Sequence, residues 1–132
     1  MIAPTFVNAA VPEIAVPYAS QYLSSYNSRI YPAEDGTLQI WFWVTGTQTW
    51  TYLGVLTIQL YESTDNENWY WVKTFSNTEY DNMMSENDNY HMSYVEYDGV
   101  SGRYYKAYVT VWGGYRSIGD SFSFWTPVVQ AT

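Results

Sequence analysis

The chain is expected to be all-β, a single antiparallel β-sandwich of immunoglobulin-like or jelly-roll type with seven to eight strands and an extended N-terminal arm. Three observations lead there. Apolar residues recur with period two over long stretches, clusters of Gly, Asn, Asp and Ser punctuate those stretches, and no segment shows a convincing helical period. Successive side chains of a strand point to opposite faces, so each alternating run marks one inward and one outward face.

Thr37 to Tyr61, TLQIWFWVTGTQTWTYLGVLTIQLY, is the strongest such run. Leu38, Ile40, Phe42 and Val44 share one parity, and Gly54, Leu56, Ile58 and Leu60 share one in the second half. Thr45-Gly46-Thr47-Gln48 supplies turn residues, so the stretch is expected to be a central hairpin. Before it, residues 19–31 read as a strand with Tyr22, Tyr26, Ser28 and Ile30 on one parity, and Asp35-Gly36 marks a turn. After it come a polar turn at residues 62–68, a strand at 69–76, a long acidic loop at 77–89 and a strand at 90–97. Residues 103–112 alternate clearly: Tyr105, Ala107, Val109 and Val111 are expected inward, Tyr104, Lys106, Tyr108, Thr110 and Trp112 outward. A glycine-containing loop at 113–120 leads to a last strand, residues 121–129.

The organisation expected is an arm, residues 1–17, and a β-sandwich domain, residues 18–132. The arm is apolar, is spaced by Pro4, Pro12 and Pro17, and carries Glu13 as its single charged side chain. Prolines suit extended arms and sheet edges rather than central strands. Ile2, Phe6, Val7, Ile14 and Val16 are its candidate contact residues.

The stretch IQLYESTDNENWYWVKTFS, followed by DGVSGRYYKAYVTVW, resembles small secreted β-sandwich proteins of Gram-positive bacteria. In that family a strand ending in Leu-Gln leads through a polar turn to a Trp and a Val-Lys pair, and a Gly-x-Tyr-[Tyr/Arg]-[Lys/Arg]-Val strand follows. The counterparts are Ile58, Gln59, Trp69, Val72 and Lys73, then Gly102, Tyr104, Tyr105, Lys106 and Ala107, with Ile58 and Ala107 departing from the pattern. The resemblance spans residues 57–112. It implies a β-sandwich in an extracellular or cell-surface location and brings no established activity.

Composition narrows the function. Five basic against thirteen acidic residues give a formal charge of −8, and the basic residues are scattered. Nucleic acid is then a poor partner, because binding it relies on clustered Lys and Arg that release counterions. No run reaches the ~18 apolar residues of a membrane-spanning helix. With no cysteine, thiol chemistry and Cys-ligated metals are excluded. His91 is the single histidine and no G-x-S-x-G elbow accompanies it, so a small hydrolase is disfavoured and no catalytic residue is assigned. Carboxylate pairs such as Glu79/Asp81 or Glu96/Asp98 sit mostly in turns, where a solvated loop is the simpler reading. No cofactor is called for. Calcium, which takes six to eight oxygen ligands, has candidates at Asp65, Asn66 and Glu67 and at Asp81, Glu86, Asn87 and Asp88, none with EF-hand spacing.

The anomaly is the aromatic content, 15 Tyr, 7 Trp and 5 Phe, more than one small core can hide. Trp41 and Trp43 fall on the face opposite the core row of their strand, as do Tyr104, Tyr108 and Trp112 on theirs. Exposed aromatic rows serve subunit contacts or stack on sugar rings. An apolar arm ahead of a complete set of strands suits addition to a neighbour's sheet. The expectation is a non-catalytic extracellular structural subunit, self-assembling as a filament or surface layer. The alternatives are a carbohydrate-binding or adhesive module with a polysaccharide partner and, behind it, the small hydrolase.

Overall fold

The computed structural model describes residues 20–132, so the arm and its contact candidates Ile2, Phe6, Val7, Ile14 and Val16 lie outside the described residues. Seven strands form one antiparallel, partly curled sheet: β1 Leu23–Pro32, β2 Thr37–Ser63, β3 Tyr70–Ser76, β4 Met84–Asp98, β5 Tyr104–Gly114, β6 Gly119–Trp125 and β7 Val129–Gln130. Two short 3-10 turns, Glu34–Gly36 and Asp81–Met83, complete the elements. The Asp35-Gly36 turn forms as the sequence indicates, with φ of 59° and 81° at its two residues.

The expected hairpin at Thr45–Gln48 does not form. β2 runs unbroken for 27 residues and is the spine of the sheet. Its first half pairs with β1 on one edge and β4 on the other, and its second half pairs with β5 on one edge and with the start of β4 and then β3 on the other. A hairpin would have required the two halves to pair with each other, and each already has two partners. The turn-forming residues make a corner instead. Thr45 faces Tyr90 and Trp50 faces Asp88, so residues 46–49 stand against Asn89 alone. The Tyr22 carbonyl holds this corner by accepting from the Thr47 amide at 3.0 Å and the Trp50 indole at 2.8 Å.

A second irregularity corrects the inward row of the spine. Leu53 and Val55 are buried, a β-bulge follows between Val55 and Thr57, and Ile58 and Leu60 are buried beyond it. The extra residue of a bulge reverses the side-chain alternation, so Leu56 is turned out while Val55 before it and Ile58 beyond it point in. Gly54 was expected inward beside Leu56 and lies instead on the outer parity, at a point of close approach: a Cβ there would stand 2.3 Å from the Met83 carbonyl oxygen. Met84 to Asn89 was expected to be loop and is the first part of β4.

The core collects the inward rows. Leu38, Ile40, Phe42, Val44, Leu53, Val55, Ile58 and Leu60 of β2 meet Tyr105, Ala107, Val109 and Val111 of β5, all fully buried and as expected on β5. Each Val, Leu, Ile or Phe among them contributes roughly 1.5–3 kcal/mol through its removal from water. The curl brings β1 over β6, where Tyr26 packs on Phe122 and Phe124 at ring distances of 5.6 and 5.2 Å. The chain end is stitched to the turns, with Gly36 donating to the Thr132 carbonyl and Gly102 to that of Ala131.

Candidate functional site

The inward rows define what is left outside. On the outer face of β1, β2 and β4 the register sets Asn27, Trp43 and Met92 in one row, Arg29, Trp41 and Tyr94 in the next, and Tyr31, Gln39 and Glu96 beyond. Trp41 and Trp43 are half-buried by one another and by their neighbours, their rings 6.4 Å apart and 23° from parallel. Tyr94 lies against Trp41 at 4.6 Å and 26°. The Trp41 indole donates to Gln39, whose amide donates to Glu96. Tyr31, Tyr90 and Met92 stand 46–47% exposed around this stack. The two tryptophans were evident from the alternation of β2. Tyr90, Met92 and Tyr94 were missed as partners, although they share one parity in β4 and the row is visible once the register is known.

The second candidate row, on β5, lies on the outward side of the sheet with the second half of β2 and with β6. Lys106 projects between two indoles, its Nζ 4.5 Å from the Trp69 ring and 4.6 Å from that of Trp125. Burial pushes this ammonium below the usual lysine range. Tyr108 and Tyr61 lie against Trp125 at 4.9 and 5.3 Å. Tyr104 is half-buried at the end of the row, between Ser63 and Gln130 on the flanking strands. Trp112, at the other end, is separate from this cage. With Tyr52, Leu56, Asn77, Met84 and Arg116 it lines an open groove of about 340 Å³.

The oxygen clusters are already occupied by their own turns. The Asp65 carboxylate accepts from the Glu67 and Asn68 amides, the Asn68 side chain and the Ser63 hydroxyl, at 2.7–2.9 Å. These bonds, the Asn68 amide first, hold its carboxyl well below the usual carboxylate range. Asp88 is lowered chiefly by the Ser85 hydroxyl. Asp81 opens a 3-10 turn while Glu86 and Asp88 lie on β4, and no three acidic or histidine side chains converge among the described residues. His91 sets its Nε2 2.6 Å from the Asn82 carbonyl and its ring 5.9 Å from Phe42. No helix among the described residues is long and apolar enough to cross a membrane.

Compared with known proteins, the chain matches no family model and no curated protein sequence. The reading of its faces therefore rests on their geometry.

Proposed function

We propose that the chain is a non-catalytic structural subunit, extracellular or at the cell surface, that self-associates through its N-terminal arm and its outward aromatic faces. In this reading the curled sheet is a sandwich-like scaffold of the immunoglobulin-like or jelly-roll kind, and the resemblance to secreted Gram-positive proteins supports the location. One observation carries the reading: the rings of Trp41, Trp69 and Trp125 spend faces on their neighbours. Stacking on a sugar requires an open ring face. Trp41 is stacked by Tyr94 and Trp43, and the indoles of Trp69 and Trp125 are occupied by Lys106. What the face of β1, β2 and β4 offers is the half-exposed Tyr31 and Tyr90 and the Met92 side chain, bordered by Arg29 and Glu96. Aromatic residues, Met and Arg are the residues enriched where proteins contact one another.

The test is the size of the native protein, by sedimentation and electron microscopy, with Met92→Glu as the variant. Met92 is 47% exposed, so the substitution leaves the fold within about 0.5 kcal/mol of the parent. The parent is expected to assemble and the variant to remain monomeric with unchanged circular dichroism. A parent that stays monomeric at high concentration overturns the proposal, and specific retention on a polysaccharide by that monomer transfers the faces to the carbohydrate-binding reading.

A further inference from the structure

We infer that the groove around Trp112 receives the N-terminal segment of a second copy of the chain, with Glu13 of that copy meeting Arg116. The inference rests on the self-assembly reading and names its acceptor site.

The groove owes one wall to a departure from regular strand geometry. The bulge turns Leu56 outward, onto the side where Trp112 and Met84 flank the spine as the strand partners of Gly54. Tyr52, Leu56, Met84 and Trp112 provide apolar walls, and the side-chain amide of Asn77, which also lines the groove, can bond to an extended backbone. Arg116 closes the other end. Its guanidinium lies 5.8 Å from the Tyr52 ring centre and donates to the Tyr52 hydroxyl at 3.3 Å. Among the described residues the ion pair formed is Arg103–Glu62, and Arg116 has an exposed cationic head and no carboxylate against it. The groove therefore suits an extended apolar segment bearing one negative charge. Residues 1–19 have that composition: Glu13 is their single charged side chain, and Val11, Pro12, Ile14 and Val16 surround it.

The direction of the chain favours a second copy over the groove's own chain. Ser20 bonds to Asp120, which lies opposite Gly113 and shares the inward parity of Phe122 and Phe124. The described chain thus begins on the core side of the sheet, whereas Trp112 and its groove lie on the outer side. To enter its own groove the segment would have to cross from the core side to the outer side, past the unpaired edge of β6 or the turn between β5 and β6, where Tyr115 and Ile118 project into solvent.

Charge reversal in the full-length chain distinguishes the possibilities. Glu13→Arg alone and Arg116→Glu alone each place like charges in the contact, and each is expected to raise the concentration needed for assembly by about tenfold or more. A 1:1 mixture of the two variants restores assembly, because each arm then finds a complementary groove on the other variant. Restoration in the double variant but not in the mixture places the segment on its own chain and overturns the inference. Arg116→Glu assembling like the parent also overturns it, while leaving the self-assembly reading intact. A monomeric parent overturns both.

Discussion

At Gly54 the backbone of β2 comes so close to the Met83 carbonyl that a methyl group has no space: its carbon would lie 2.3 Å from the oxygen. The contact is with backbone and cannot be relieved by a rotamer change. Gly54→Ala is therefore expected to cost about 2 kcal/mol or more, measurable as a lower urea midpoint at unchanged slope. Tyr105 presents a different case. Its hydroxyl is buried at the end of the core, donates to Glu62 at 2.5 Å and accepts from the Val100 amide at 2.8 Å. Burial first, and the Glu62 carboxylate second, push the phenol up from 10.0 to about 12. A raised value means that the folded state holds the proton longer than the unfolded chain does. Stability from this group is complete below pH 10 and is lost as pH rises from 10 to about 12. Denaturation at pH 9 and pH 11 should show the fall, and Tyr105→Phe should reduce it. Tyr26 and Tyr97, raised mainly by burial, retain part of the slope.

On β5, the regular alternation makes the outer row an organised surface. Lys106 between Trp69 and Trp125 is the centre of it. Lys106→Met keeps the length of the side chain and removes its charge, and is expected to lower stability by about 1 kcal/mol, or roughly 3–5 °C in Tm. Scanning calorimetry measures it, with a shift in tryptophan emission as the local readout. The same strand shows what the sequence makes readable. Its inward and outward rows could be assigned residue by residue because one side is buried and the other half-buried. β4 is the opposite case: its first residues are exposed or half-exposed on both sides, so no alternation betrays them and they read as loop. The β2 corner was obscured for a different reason. Thr, Gly and Gln serve a sharp bend as well as a reversal, and only the available partners decide between the two. The bulge at Leu56 has no signature in residue types, since Val55-Leu56-Thr57 would suit an unbroken strand equally. Trp41 and Trp43 could therefore be placed outward from sequence, while the groove behind Trp112, which depends on that bulge, could not.

Over the whole molecule, most pairing is between distant parts of the chain. β2 pairs with β5, whose residues lie roughly fifty positions further on, and the start of β2 at Thr37 reaches Asp98 of β4. Closing such loops precedes the contacts that offset their entropy, so folding is expected on a scale of about milliseconds to seconds, faster phases being confined to the local pairs β1 with β2, β2 with β3 and β5 with β6. Stopped-flow tryptophan fluorescence from denaturant checks it. The expectation of an all-β antiparallel chain of about seven strands was met because period-two patterning and turn punctuation are local properties. The sharing of one strand by both halves of the sheet is a long-range property and carries no local mark.

The β2 corner also bears on how this protein tolerates changes in length. Where pairing is regular on both sides there is little slack, so a residue removed at Ile40 would carry the side chains beyond it to the wrong face. Between Thr45 and Trp50 four residues span what one spans on β4, and Thr47, Gln48 and Thr49 are exposed. Deletions and insertions should accumulate there among divergent copies, a seam at which the two ends of a single strand can drift in spacing while each keeps its own alignment.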